Sequence, residues 1–416
     1  MTKAHGAVDD PCGYFDWAAT APPLDPETPC EGKWEDLVQW TKGHLSVLAG
    51  RDPRDVSLHH NTTGAFQRIA TRLRLHFEGS SPVLLLTDQE YPGVVALLDE
   101  QWHGPIVMVQ TAGGVWEGKP EEVRRRLLLA IRRFKPQVVL LSHVARTTGL
   151  MITDSWLTEV AASSPGSIIV LDGAQAMGNV HVTETALEIA DFYVFSGHKW
   201  LRGQATLGIV ISRQDIWSID DPGQGYSVQA GSRGTGSEAV LGSIVGSFRS
   251  FPDLGTEAYA KDVAEKAQEL ARLLDQRSLP PVGLTGEAGS SWPWNGIVSV
   301  PLGDYGLSRT DERPKYTILD PELFRSADLG CVSAGPRYVV SFAGAGADGN
   351  GFGDATVERR ASFCDVPVPC PPFGVARFCV SQEHSRKDLE RLADTVQARC
   401  FPPAPGSQAS GTGGGP

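Results

Sequence analysis

The sequence predicts an α/β protein, with a large domain on a mostly parallel sheet followed by a smaller C-terminal α/β domain. Three observations predict it. Apolar runs of strand length recur through the first half of the chain, amphipathic helical stretches separate several of them, and a proline pair near residue 280 breaks the pattern.

The runs fall at 83–86, 106–109, 138–141, 168–171, 192–195 and 207–211. They are rich in Val, Ile, Leu and Phe and do not alternate with polar residues, which suits strands covered on both faces. The clearest helix is 123–134, where Val123, Leu127, Ile131 and Phe134 share one face and Arg124, Arg125, Arg132 and Arg133 form a solvated one. A second long helix spans 258–276. Pro280, Pro281 and a Gly/Ser/Trp-rich stretch to Trp294 then lead into the smaller domain. Strands are expected there near 297–300 and 338–342. The last helix opens on Ser385-Arg-Lys-Asp388, a capping-box-like start, and continues through Leu389, Leu392 and Val396. The expected organisation is an N-terminal arm 1–25, a large domain 26–280, a small domain 281–400, and a tail 401–416 too rich in Pro, Gly and Ser to order itself.

Composition narrows the function class. The 416 residues are 41% hydrophobic and 21% charged, with a net charge of −12, which disfavours a nucleic-acid or anionic-membrane partner. No 18-residue apolar run is present. The opening residues lack an apolar leader core, and the 7 cysteines form no CxxC pair, so a cytoplasmic protein without a structural zinc or a disulfide framework is expected.

Three segments carry chemistry. Phe192-Tyr-Val-Phe-Ser196-Gly-His198-Lys199 places a lysine just past a buried strand, at the sheet edge where α/β proteins bind ligands. Partial burial there lowers the amine's pKa and frees it to condense with a carbonyl. Ser196 and His198 offer hydrogen bonds to a phosphate, although an ordinary surface loop reads the same way. Leu171-Asp172-Gly-Ala-Gln175 ends another run; its carboxylate can hold a pyridinium proton, or simply cap a helix. Gln175 is then within reach of a ring substituent. Asn61-Thr62-Thr63-Gly64 precedes a helix and reads as an anion site or a plain cap.

In this order the three segments resemble the class V aminotransferase superfamily of fold type I pyridoxal 5′-phosphate (PLP) enzymes, which includes cysteine desulfurases, isopenicillin-N-epimerase-like proteins and cysteine-conjugate lyases. The resemblance runs from about Tyr14 to about Arg399. Tyr14-Phe-Asp16-Trp-Ala-Ala19-Thr20 resembles the family's opening motif, and Glu90-Tyr91-Pro92 resembles the segment whose aromatic ring stacks on the cofactor. Ser232-Arg-Gly-Thr235-Gly is similar to the loop that reaches the neighbouring subunit's phosphate. Val375-Ala-Arg377-Phe-Cys379 is similar to the motif whose arginine binds the substrate α-carboxylate, with Cys379 replacing the usual serine.

The resemblance implies a mixed, mostly parallel seven-stranded sheet in the large domain and a homodimer with shared active sites. It implies that Lys199 carries PLP and moves protons, and that Asp172 keeps the ring nitrogen charged. Tyr91 then stacks on the ring and Gln175 contacts its oxygen. Thr62, Thr63, Ser196, His198 and the neighbouring chain's Thr235 hold the phosphate. Arg377 fixes the amino-acid substrate, with Ala19 and Arg146 also beside it.

Two departures matter. Cys331 lies at a desulfurase nucleophile's distance from Lys199, yet local alignment puts Tyr338 at that position and leaves Cys331 in a strand. In His143-Val-Ala-Arg146, an arginine stands where desulfurases carry asparagine; it can meet a substrate carboxylate, meet the cofactor oxygen, or turn outward. The expected reaction is β-elimination at a cysteine-derived substrate, a C–S lyase, in secondary metabolism. Epimerisation, decarboxylation-coupled deamination and transamination are alternatives, and a non-catalytic scaffold is the alternative class. Gly344-Ala-Gly346-Ala-Asp-Gly349 matches GxGxxG but no apolar helix follows, so it reads as a loop. Cys364 and Cys370 read as loop thiols without metal-ligand partners.

Overall fold

The computed structural model describes residues 34–111, 115, 118–204, 206–213, 238–283, 292–301, 317–319, 337–342, 355–360 and 375–400. The expected arm, the tail, Ala19, Thr235, Cys331, the glycine-rich loop at 344–349, Cys364 and Cys370 lie outside these residues.

Seven strands from the first half build the expected sheet: β1 (Val56–His59), β2 (Leu84–Thr87), β3 (Ile106–Val109), β4 (Val138–Ser142), β5 (Ile168–Asp172), β6 (Phe192–Ser196) and β7 (Gly208–Ser212). Their order is β1-β7-β6-β5-β4-β2-β3, and β7 runs antiparallel to both its neighbours while the rest are parallel.

Each apolar run divides its side chains between two faces, as a pleated strand must. Leu85, Val107, Val139, Leu141, Ile169, Leu171, Tyr193 and Phe195 enter one core. Val123, Leu127 and Ile131 of a helix at Pro120–Phe134 and Trp156, Leu157 and Val160 of a helix at Asp154–Ser163 join them. Leu84, Leu86, Val138, Leu140, Val170, Phe192 and Val194 enter the other, against Phe66, Ile69 and Leu73 of α2 (Thr62–His76) and Val94 and Leu98 of α3 (Pro92–Gln101). The result is a three-layer α/β/α domain, which explains why these strands read as continuous apolar runs.

Beyond it, β8 (Ile297–Pro301), β9 (Thr317–Leu319) and β12 (Val375–Cys379) form a second sheet in the order β8-β12-β9. Its core takes in Val298, Val300, Ala376 and Phe378, with Leu389, Leu392 and Val396 of the C-terminal helix Arg386–Cys400. Ala267, Leu270 and Leu274 of the helix Glu257–Asp275 complete that core, while Tyr259 and Val263 of the same helix enter the first core, so a helix expected in the large domain spans both.

The segment expected as a small-domain strand near 338–342 instead forms β10 (Arg337–Phe342), which pairs parallel with β3. With β11 (Ala355–Arg360) it extends the large sheet to 9 strands. Strand β3 would otherwise present an unpaired edge of backbone donors and acceptors, and β10 fills it. No helix among the described residues is long and apolar enough to cross a membrane.

Candidate active site

The parallel strands β4, β5 and β6 end at the same edge of the sheet, and their carboxyl ends carry Ser142, Asp172 and Ser196. This is the edge at which open α/β sheets bind ligands. A cleft with about 630 Å³ of empty space lies there, lined by Asn61, Thr62, Thr63, Tyr91, Ser142 and Arg146, and by Asp172, Gln175, His198 and Lys199. Eight of the expected site residues are thereby brought together from five separate segments.

One wall is the N-terminus of α2. Asn61 caps it, its Oδ1 accepting from Gly64 N at 2.7 Å. That leaves the hydroxyls of Thr62 and Thr63 and the first free backbone amides at the cleft, an arrangement that attracts an anion. His198 faces the same space, and its Nδ1 lies 3.0 Å from Ser196 Oγ. Ser196 thus reaches the cleft through His198. Burial and then the neighbouring Lys199 charge push His198 down to about 4, so it is neutral at pH 7.

Asp172 and Lys199 face each other electrostatically. Burial raises the Asp172 carboxyl above its ordinary value, and the Lys199 ammonium and a hydrogen bond from Ala174 N, at 2.9 Å, pull it back. Burial also lowers Lys199 to about 8. Asp172 opposes that shift, while Arg146 and Arg377 add to it. An amine in this range has a substantial neutral, nucleophilic fraction near neutral pH.

The residues around this pair are tightly placed. A Cβ on Gly173 would lie 2.6 Å from Tyr193 Oη, so only glycine lets the turn after Asp172 close on that ring. Tyr193 Oη in turn lies 2.9 Å from His143 Nδ1. On the other side, Gln175 Oε1 accepts from the indole of fully buried Trp200 at 2.9 Å, tying Gln175 to the residue after Lys199.

Tyr91 stands just before α3, the third helix after α1 (Trp34–Ala49) and α2, at the cleft mouth, 43% exposed, with the Arg146 guanidinium 5.3 Å from its ring centre. Arg377 is placed differently from expectation. It is buried on β12, is not among the cleft-lining residues, and its Nη1 donates to the Arg146 carbonyl at 3.2 Å. The backbone of Tyr338 lies in β10 opposite Val107.

Two residues escaped the sequence analysis. Glu90 is buried, with Oε1 2.6 Å from Thr87 Oγ1 and Oε2 2.6 Å from Ser142 Oγ. Burial raises its carboxyl to about 8, against the pull of those hydroxyls and with a further push from Asp172. A carboxyl in a turn after a strand carries no local signal of such burial.

The second is Arg202, held at φ 59° in the left-handed region. Its Nη1 pairs with Glu383 at 2.6 Å and its guanidinium packs 4.4 Å from the Phe251 ring centre, tying the loop after Lys199 to the segment before the last helix.

Glu90 carries a testable pH signature. Its folded pKa lies above the unfolded value of 4.5, so between the two the folded chain holds a proton that the unfolded chain has lost. Stability must therefore fall as pH rises through that window, by up to about 1.4 kcal/mol per pH unit. Glu90→Gln should flatten this slope, read as urea midpoints across about pH 5 to 8. Parallel wild-type and variant profiles would contradict the assignment.

Residues 45–222 match the aminotransferase class-V family model. That segment is similar to a class V aminotransferase domain. Isopenicillin N epimerase of Amycolatopsis lactamdurans is 29% identical over 188 residues, 44% of this chain and 46% of that protein. The chain thus spans about half the length of the curated relative it matches.

The cysteine desulfurase of Thermococcus onnurineus NA1 superposes with a TM-score of 0.65 at 16% identity, over 93% of this chain and 94% of that one. The cystine C-S lyase C-DES superposes with a TM-score of 0.62 at 16% identity, over 93% and 98%. These similarities show the PLP fold type I architecture. The cofactor of the class V aminotransferase family is PLP, and the donor set fits it: an anion cradle at α2, a buried carboxylate and a lysine of lowered pKa share one cleft.

Proposed function

We propose that the chain is a PLP-dependent enzyme acting on an α-amino acid, and that its reaction is β-elimination from a cysteine-derived substrate. The observation that carries the first part is the convergence of Lys199, Asp172 and the Thr62–Thr63 cradle in one cleft. PLP supplies an electron sink for the pair left behind when a bond to Cα breaks. Lys199 Nζ is the cofactor attachment point and the group that moves the Cα proton. Asp172 keeps a positive charge on the ring nitrogen, while Tyr91 and Gln175 orient the ring. Thr62, Thr63 and His198, with Ser196 behind it, hold the phosphate, joined by Thr235 of a second copy in a homodimer. The retained lysine and aspartate argue against a non-catalytic scaffold. The acidic net charge and the cysteine usage support a cytoplasmic setting.

Two observations favour C–S lyase over desulfurase chemistry. No cysteine aligns with the desulfurase nucleophile, and a cystine C-S lyase is among the structural neighbours. In such an elimination the thiol leaves from Cβ, and hydrolysis of the remaining enamine gives pyruvate and ammonia.

The test is to incubate the purified holoenzyme with a panel of S-substituted cysteines and follow thiol and pyruvate by mass spectrometry. Equimolar thiol and pyruvate is the expected result. D-amino acid would favour the epimerase alternative, which the 29%-identical relative supports, and persulfide trapped on Cys331 would restore the desulfurase reading.

A further inference from the structure

The loop that carries Lys199 closes on itself. Arg202 N donates to the Lys199 carbonyl at 2.8 Å, and Gly203 N donates to the Gly197 carbonyl at 2.8 Å. The closure puts Arg202 at φ 59°. Among the described residues only Lys135 and Ser278 share that left-handed conformation without being glycine. Both of those follow helices, where it is a common ending. Arg202 follows a turn. Glycine meets such a backbone requirement without strain, whereas a long side chain meets it only when the surroundings hold it there.

The surroundings of Arg202 belong largely to the small sheet. Its Nη1 pairs with Glu383 at 2.6 Å, and its guanidinium packs 4.4 Å from the Phe251 ring centre. Glu383 lies between β12 and the C-terminal helix, in a segment that is itself fastened. Lys266 Nζ donates to the Gln382 carbonyl, and Ser381 N donates to His384 Nδ1 at 2.9 Å. A second tie stands two positions earlier. Fully buried Trp200 presses on Gly296, where a Cβ would lie 2.8 Å from Trp200 Cη2. Gly296 stands just before β8, and its carbonyl accepts from Val380 N at 2.6 Å. The small sheet thus meets the lysine loop at two residues that directly follow Lys199.

We propose that Arg202 is a positioning residue for Lys199: its ion pair with Glu383 holds the loop in the strained form that keeps the Lys199 amine in the cleft beside Asp172. This rests on the reading of Lys199 as the cofactor attachment point and adds that the seating of the small sheet sets where that amine stands. The charges that bear on Lys199 directly are those of Asp172, Arg146 and Arg377, with neutral His198 beside it. Neither Arg202 nor Glu383 is among them, so a change in Lys199 on breaking the pair reports its position and not a lost field.

The test uses the full-length chain, first without cofactor. Wild type, Arg202→Gly, Arg202→Lys and Glu383→Gln are pulsed with an amine-acetylating reagent across about pH 6 to 11, and Lys199 modification is read by peptide mass spectrometry. Wild type should show a midpoint near 8. Arg202→Gly relieves the backbone strain and removes the ion pair; Glu383→Gln removes only the pair. Both should move the midpoint upward by at least about one pH unit, as the released amine gains water. Both should also slow the appearance of visible absorbance on adding PLP, by at least about tenfold. Arg202→Lys keeps a charge opposite Glu383 and should retain part of the wild-type profile.

A wild-type profile in Arg202→Gly would overturn the proposal, because the arginine would then serve only the turn. An unchanged profile in Glu383→Gln would overturn it by showing that the pair does not hold the loop. If Arg202→Gly fails to fold, Glu383→Gln decides; unfolding of both would make the pair a structural bridge with no separate effect on Lys199, and would overturn it as well. Borohydride mapping of the cofactor to another lysine would refute the broader reading of Lys199, while the labelling profiles would still decide whether Arg202 positions that amine.

Discussion

Lys199→Ala is expected to eliminate turnover, by at least about three orders of magnitude, and to abolish the visible absorbance of covalently held cofactor. The loss should be chemical and not structural. Lys199 is only half-buried, and burial has lowered its pKa from 10.5 to about 8. A group whose folded pKa is depressed in this way leaves the folded chain binding fewer protons than the unfolded chain between those values. The ammonium therefore costs the fold stability below about pH 8, and that cost fades as pH rises towards 10.5. The cofactor-free variant should match or exceed cofactor-free wild type in thermal stability at pH 7. A variant that is inactive because it has unfolded would show the opposite shift.

The second large effect is expected at Asp172, where a helix-capping or turn role competes with an electronic one. Asp172 accepts a hydrogen bond from Ala174 N at 2.9 Å, so loss of function on truncation to alanine would not separate the two. Asp172→Asn does. Its amide oxygen can keep the Ala174 contact while the negative charge disappears. If the charge holds a proton on the ring nitrogen, turnover should fall by about 10²- to 10⁴-fold, with fold and cofactor content retained. Activity within a few-fold of wild type would make Asp172 a turn residue. The protein has invested in this carboxylate: it is buried beside Lys199, and Glu90, kept largely as the neutral acid at neutral pH, avoids placing a second negative charge next to it.

Much of this was legible in the sequence because its causes are local. Strands β4, β5 and β6 are covered on both faces and so read as unbroken apolar runs, and the candidate site residues Asp172, Ser196 and Lys199 sit within a few positions of their ends. The helix from Pro120 showed its face through Val123, Leu127 and Ile131. The missed features are relations between distant segments. Strand β10 joins the large sheet beside β3, more than two hundred positions earlier, and no periodicity within Arg337–Phe342 says which edge it will fill. The helix Glu257–Asp275 has a clear apolar face, but nothing in it says that its first turns join the large-sheet core and its later turns the small-sheet core. Glu90 is buried because Thr87 and Ser142 meet it there, and Arg377 lies behind the Arg146 turn because β8 and β12 hold that turn in place.

The central claim is that Lys199 is the residue to which the cofactor is joined. Borohydride reduction of the holoenzyme, followed by proteolysis and peptide mass spectrometry, tests it directly. The account predicts that the reduced cofactor's mass appears on the peptide containing Ser196-Gly-His198-Lys199, and that this adduct is absent from Lys199→Ala. Cofactor mass on a peptide bearing any other lysine, or none incorporated into protein that is fully loaded with PLP, would contradict it.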